Sequence, residues 1–356
     1  MPVLDHQPLR DLTADIFQAV GAPGDQARTV ADMLIDADLM GLPSHGLQRV
    51  IQYVHDARQG AIKPGAEIII DRRSPTTALV DGQWNFGQVV ASRATQQAIA
   101  MAHENGMGSV VVRGCRHVGR LGAFTELCAA DHCIGMAAAS SGNEGYWVAP
   151  FGGREGRLGT NPISIAVPAA ADPLVMDFST SALPEGKVRL IRDSGQRLPQ
   201  PLIVNADGKP SDDPWDLYNK DTGERAGAIL PFGGDQGYKS FGFAFMAQIL
   251  AACLGDPLWS HTDIRRNTNG MWLLAMRVEA FMDADAFRAD VQAMTAYIKS
   301  TKPAGGSRGV MSPGQRELDT TQQRRRDGIP VHEDIWDKIT NIAAELNVDA
   351  PAPRKD

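Results

Sequence analysis

The apolar residues of this chain change period twice, and that change constrains the fold more than any single motif. Near the N-terminus they recur about every 3.6 residues. Residues 8–20 place Leu9, Leu12, Ile16, Phe17 and Val20 on one helical face. Residues 25–40 repeat the pattern with Ala27, Val30, Ala31, Leu34 and Ala37. Pro43-Ser44 reads as a break and a cap, with a third helix running to about Arg58. Beyond a Gly- and Pro-bearing linker at 60–65, short apolar runs alternate with helical segments. Strands are expected at 67–71, 77–80, 109–113, 134–139, 163–167, 174–178 and 271–281, and helices at 88–104, 121–131 and 241–254. The tail returns to helix at 284–299 and 332–346, after a Gly-, Pro- and Arg-rich stretch at 301–330 that reads as a long surface loop. Such alternation predicts an α/β layer. Helical ends on either side of it predict that the two termini pack together. The expected division is a helical domain of 1–75 with 284–356, and an α/β domain of 76–283 for cofactor and substrate.

At 356 residues the chain is long enough for two domains and for a core that needs no staples. Its net charge of -7 argues against a nucleic-acid partner, which calls for a basic stripe. No apolar run reaches the roughly 18 residues of a membrane span; the closest, 241–254, is interrupted by Gln248. The opening Met-Pro-Val-Leu-Asp-His lacks the basic start of a secretory signal, so a cytoplasmic location without membrane contact is expected. Cys115, Cys128, Cys133 and Cys253 form no C-x-x-C pair and read as reduced thiols. A metal set built from Cys128, His132, Cys133 and His117 lacks the paired spacing of zinc sites, and no metal is expected. The cluster Arg324-Arg325-Arg326 reads first as a solvated face and second as a phosphate or acidic-partner contact.

There is no G-x-G-x-x-G; Gly106-Met107-Gly108 is the nearest start, and Val111 fills the third glycine position. A P-loop and a G-x-S-x-G elbow are also missing. Five other strings offer chemistry. In Ser44-His45-Gly46-Leu47-Gln48-Arg49, a helical backbone would put His45, Arg49 and Tyr53 on one face. Arg grips a carboxylate with a planar fork, and His, titrating near pH 7, hands a proton to the adjacent carbonyl oxygen. Equally, Ser44 caps the helix and the other two are exposed polar residues. Arg116-His117-Val118-Gly119-Arg120-Leu121-Gly122 joins a strand to a helix, where glycines admit a ligand or simply turn the chain. Gly159-Thr160-Asn161-Pro162 opens a strand, and Asp177-Phe178-Ser179-Thr180-Ser181 ends one. Pro231 to Lys239 carries glycine turns that end in Lys239.

Together, and in order over roughly residues 5–320, these strings resemble the type 2 malate/L-lactate dehydrogenase-like oxidoreductases. Ile62-Lys63-Pro64-Gly65 and Ala78-Leu79-Val80-Asp81-Gly82 look most like the hydroxycarboxylate dehydrogenase branch. The resemblance implies hydride transfer between a nicotinamide cofactor and C2 of a 2-hydroxy or 2-oxo acid. It implies a non-Rossmann α/β domain joined to a helical unit, and a homodimer. NAD is the expected cofactor, with NADP as the alternative. His45 becomes the implied proton donor, supported by Ser44, with His117 as the rival acid/base. Arg49 becomes the carboxylate ligand, and Thr160 and Tyr53 substrate contacts. Ser141, Asp177, Phe178, Ser179, Lys239, Gly314, Gln315 and Arg316 resemble cofactor contacts, as does His117 in its second role. Lys187 joins the catalytic candidates because one reductase branch carries Asp there. A carboxylate relay is then missing, which argues against an imine reductase, the alternative activity; a non-catalytic binding protein is the rival outside the enzymes. Ser240 stands where the family often has Gly, so a positive φ there would strain it. Residues 142–147 are candidates for the side-chain pocket.

Overall fold

The computed structural model describes residues 1–142, 145–255, 269–307 and 309–354. Its helices are α1 (His6–Ala19), α2 (Gly24–Leu39), α3 (Arg49–Arg58), α4 (Gly87–Asn105), α5 (Gly122–Ala130), α6 (Glu185–Asp193), α7 (Gly237–Gln248), α8 (Ala284–Lys299), α9 (Gln315–Asp327) and α10 (Glu333–Glu345). Its strands are β1 (Val3–Leu4), β2 (Ile69–Ser74), β3 (Thr77–Asp81), β4 (Met107–Cys115), β5 (Cys133–Ser141), β6 (Ile163–Val167), β7 (Leu174–Phe178), β8 (Ile203–Val204), β9 (Pro210–Ser211), β10 (Ala228–Ile229), β11 (Asn269–Arg277) and β12 (Ile329–Pro330).

The helical periodicity at both ends resolves into one core. Leu9, Ile16 and Phe17 of α1, Val30 and Leu34 of α2, and Val50 and Tyr53 of α3 pack with Trp336, Ile339 and Ala343 of α10. β1 pairs antiparallel with β12, setting Leu4 opposite Ile329. Phe17 lies between Tyr53 and Phe86, with ring centroids 6.2 and 5.3 Å away. Removing a ring of this kind costs about 3–5 kcal/mol, so Tyr53 stands on a stiff wall.

The middle of the chain forms a seven-stranded sheet in the order β2-β3-β4-β11-β5-β6-β7. β3 and β4 run parallel through the α4 crossover, while β11 enters antiparallel between β4 and β5. Val90, Ala94 and Ala98 of α4 and Phe124 and Cys128 of α5 bury against Val110, Val112, Ala137 and Leu273 of the sheet. A smaller lobe holds β8, β9 and β10, with Val188 of α6 packed beside Ile203, Leu217 and Ile229. The fold is thus mixed α/β.

Several boundaries differ from the sequence reading, each for a physical reason. The third helix does not begin at Ser44. Residues 43–45 form a 3-10 turn and α3 starts only at Arg49, so His45, Arg49 and Tyr53 do not share one helical face, and the Ser44 side chain caps neither segment. The stretch 301–330 is not all loop, because α9 occupies 315–327. That helix has no apolar stripe for periodicity to detect, with Thr321 its one buried residue. It is seated instead by Thr320 against Gly41 and by Arg324, whose guanidinium donates to the Asp38 carbonyl. Arg324 is therefore a structural contact, while Arg325 and Arg326 are exposed. α6 was hidden in the same way by its charged sequence EGKVRLIRD. α7 starts at Gly237 rather than 241 and continues as a π-turn at 249–253. β11 stops at Arg277, where a 3-10 turn begins, and its expected run to 281 is cut short.

Candidate active site

His45, Arg49, Tyr53 and His117 meet between the start of α3 and the loop that follows β4. Pro43 opens the turn that carries His45, whose Nδ1 lies 3.1 Å from Ser44 Oγ. The His45 and His117 rings stack, 5.7 Å apart and 17° from parallel. Arg49 donates through Nε to the Ser44 carbonyl at 2.7 Å and through Nη1 to Gln52 Oε1 at 2.7 Å. Among the described residues no carboxylate pairs with it. Its charge acts on both histidines, adding to a larger effect of burial. The His45 pKa is pushed down to about 3, by burial first and by Arg49 and Arg120 next. His117 is held well below the ordinary histidine range by burial, Arg49, His45 and Arg116. Both rings are neutral at pH 7, which corrects the expectation of a histidine titrating there.

The loop that carries His117 is fixed from three sides. Arg116 pairs with Asp56 of α3 at 2.8 Å, both side chains only 12% exposed. The Val118 amide donates to Asn269 Oδ1 at 3.0 Å, and Asn269 Nδ2 donates to the Ser140 carbonyl at 2.9 Å, tying the loop to the end of β5. Gln88 Nε2 donates to the Tyr53 oxygen at 2.8 Å, leaving the Tyr53 hydroxyl proton for His117 Nδ1 at 2.6 Å. That pattern assigns the remaining His117 proton to Nε2. Burial pushes the Tyr53 phenol up to about 12, so it stays a donor. Gly87 makes this possible, since a Cβ there would overlap the carbonyls of Arg116 and His117. Tyr53 thus holds His117, in addition to its place beside the candidate substrate residues. Gln88, Asn269 and Asp56 were missed by the sequence reading.

A second group lies at the ends of β5 and β7. Ser141 Oγ is flanked by Gly145 and Gly159, where any Cβ would overlap it. Thr160 presents its carbonyl to Ser179 Oγ at 3.3 Å and to Thr180 Oγ1 at 2.9 Å. Phe178 packs edge-on to Phe232 at 5.6 Å. Asn161 Oδ1 is buried with no hydrogen-bond partner among the described residues. Asp177 is engaged within the protein: it accepts from the Gly122 amide at 2.7 Å and lies 3.6 Å from Arg120. Burial raises the Asp177 pKa, and Arg120 opposes that rise. Gly314, at φ +84°, lets the start of α9 approach Val175 of β7. Gln315 Oε1 accepts from Lys299 at 2.8 Å, and Arg316 is exposed beside Glu317 at 3.2 Å.

Two candidates stand apart. Lys187 is exposed on α6, with no hydrogen bond or ion pair to the histidines. Lys239 is exposed in the first turn of α7, its ammonium 5.8 Å from the Tyr238 ring. Ser240 lies inside that helix, buried, with its hydroxyl donating to the Gly237 carbonyl at 3.0 Å, so no positive φ strains it. Of the expected side-chain pocket, Asn143 and Glu144 lie outside the described residues; Tyr146 is buried, its oxygen 3.2 Å from Gln248 Nε2. Cys128 and Cys133 are buried, and His132 sits by Arg288. Among the described residues no three His, Cys, Asp or Glu side chains are arranged to hold a metal ion.

The comparisons with known proteins cover nearly the whole chain. A model of the malate/L-lactate dehydrogenase family matches residues 4–340. The L-sulfolactate dehydrogenase of Methanothermobacter thermautotrophicus is 35% identical over 340 residues, covering 94% of each chain. The malate dehydrogenase of Pyrococcus abyssi is 32% identical, covering 94% of this chain and 92% of its own. The crystal structure of malate dehydrogenase from Entamoeba histolytica superposes with a TM-score of 0.91 at 28% identity, over 98% of this chain and 99% of that one. From the Ser44 turn to the end of β7, the residues that build the site fall inside the matched span, and the chain belongs to the malate/L-lactate dehydrogenase family of oxidoreductases.

Proposed function

We propose that the protein interconverts a 2-hydroxy acid and its 2-oxo acid, using NAD, with NADP as the alternative. The observation that carries this reading is a guanidinium with no carboxylate partner among the described residues, beside two neutral imidazoles. Arg49 binds the substrate carboxylate as a fork. His45, neutral at rest, takes the hydroxyl proton during oxidation. An anion on Arg49 offsets the charge that depresses His45, so the ring holds that proton more readily once substrate is bound. His117, with Nε2–H set by Tyr53, donates a hydrogen bond to the same oxygen.

The glycine-flanked Ser141 and the unpartnered Asn161 Oδ1 fit a group carrying a flat amide. Ser141, Thr160, Phe178 and Ser179 would hold a nicotinamide there, which would supply the hydride acceptor for C2 in oxidation and the hydride donor in reduction. Asp177 acts behind them through Arg120 and the Gly122 amide. A sheet with β11 antiparallel at its centre supports a cofactor site of non-Rossmann type. The shared core of residues 4–62 and 329–343 supports a helical domain built from both termini. Exposed Phe243, Phe245, Met246 and Ile249 supply an apolar face for a homodimer. No helix among the described residues is long and apolar enough to cross a membrane.

The test is direct. Purified protein with NADH or NADPH and a panel of 2-oxo acids loses absorbance at the reduced-nicotinamide band, and cyclic imines do not substitute. Failure with every acid and both cofactors removes the reading. Activity also survives prolonged chelation, because the chemistry rests on residues and cofactor alone. Loss on chelation with recovery on added zinc would return attention to Cys128, His132 and Cys133.

A further inference from the structure

The turn between His45 and Arg49 rests on a buried acid. Asp38, at the end of α2, is 6% exposed. Its Oδ2 accepts the Leu47 amide at 2.6 Å. Gly46 lies directly over the same carboxylate, and a Cβ at position 46 would overlap it. The φ of Gly46 is -98°, so glycine is required there by close approach and not by a left-handed backbone. The Arg324 guanidinium of α9 donates to the Asp38 backbone carbonyl. A short carboxylate–amide bond inside a core is strong, and losing it strands a buried N–H.

Building on the functional reading above, we propose that Asp38 is a positioning residue for the reaction, its carboxylate fixing the turn that sets His45 against Arg49. It touches neither substrate nor cofactor, so it acts through substrate binding and proton transfer. Charge is not what the role needs: an Asn keeps both the acceptor oxygen and the volume beneath Gly46.

Charge does carry a cost at this position. Burial raises the Asp38 pKa to about 7, opposed by the Leu47 amide and Arg324. Arg324 is the cation that reaches it from α9, and the turn above it presents the Leu47 amide and the titratable ring of His45, itself held neutral. A group whose folded pKa exceeds its unfolded value contributes stability below the unfolded pKa and loses it as pH rises through the folded one. The wild type therefore loses part of its stability between about pH 4 and 7, and Asp38→Asn does not.

The test compares Asp38→Ala, Asp38→Asn and Gly46→Ala. Asp38→Ala raises the KM for the 2-oxo acid about 5- to 10-fold, leaves NADH binding by fluorescence unchanged, and speeds amide exchange in residues 44–50. Asp38→Asn restores KM and exchange to near wild type and flattens Tm across that pH range. Gly46→Ala, which presses on the carboxylate without removing it, reproduces the KM and exchange changes and serves if Asp38→Ala fails to fold. Unchanged exchange at 44–50 in both Asp38→Ala and Gly46→Ala overturns the proposal. A loss of NADH binding in parallel with KM, unrescued by Asn, reduces Asp38 to a fold residue and overturns it too. A wild type inactive on all 2-oxo acids overturns the functional reading alone, because exchange still decides the role of Asp38 in the turn.

Discussion

Replacing His45 by Asn lowers kcat at least 100-fold and leaves NADH affinity, followed by fluorescence, near wild type. A positioned acid/base contributes about 10²- to 10⁴-fold, and its loss falls on the chemical step. His45 is the ring placed next to Ser44 and beside the Arg49 fork, with its pKa depressed by burial and by that arginine. His117 is tethered by Tyr53 through Nδ1, so it is a fixed donor rather than a group free to trade protons. His117→Asn is accordingly expected to weaken substrate or NADH placement more than it slows the bound complex. The pH profile gives an independent check. Since burial and Arg49 hold His45 neutral, kcat/KM for oxidation of the 2-hydroxy acid stays free of a His45 limb at pH 6 to 7, and that limb moves to lower pH. His45→Asn abolishes it. If His117→Asn erases the limb and His45→Asn keeps it, the two roles are exchanged.

Arg49→Ala is expected to lower kcat/KM for 2-oxo acids about 100-fold, roughly 2.7 kcal/mol, mostly through KM. Arg49→Lys keeps the charge but not the planar fork, and a loss of at least about 10-fold is expected. NADH binding changes little in either variant. Only Arg49→Ala relieves the histidines of one depressing charge, so the low-pH limb shifts upward in Arg49→Ala and stays put in Arg49→Lys. Unaltered kinetics in both variants would take Arg49 out of the site.

The parts of this site that were legible in the sequence are those whose residue types are themselves chemical. His45, Arg49 and His117 stand in short polar strings, and the glycines around them signal close backbone approach. The parts that were not legible are ordinary residues brought in by topology. Gln88 reaches Tyr53 because Gly87 lets α4 meet the His117 loop, and Asn269 reaches Val118 from more than a hundred residues away. Neither has a local pattern. The geometry of the His45 segment was misread for the opposite reason. Helical spacing from His45 to Tyr53 is a valid pattern, but Pro43 starts a tighter turn and the Asp38 carboxylate holds Leu47 out of the helix. Apolar period revealed α1, α2, α4, α8 and α10 to within a few residues. It could not reveal α9, whose one apolar residue, Leu318, makes no stripe and which owes its place to an arginine and a threonine contact with the α2 end.

The joining of the two chain ends has a kinetic consequence. β1 waits for β12, some 325 residues later, and α1 and α3 cannot complete their core until α10 exists. Contacts this distant in sequence close late, because the loop entropy must be overcome before any burial rewards it. During synthesis the sheet region can therefore condense first, while α1 to α3 remain exposed with their apolar faces uncovered. The half of the site that carries His45 and Arg49 then assembles only after the last helix leaves the ribosome. In refolding, recovery of turnover is expected to trail the burial of the sheet, and a chain ending before residue 329 is expected to fold its centre yet never gain activity.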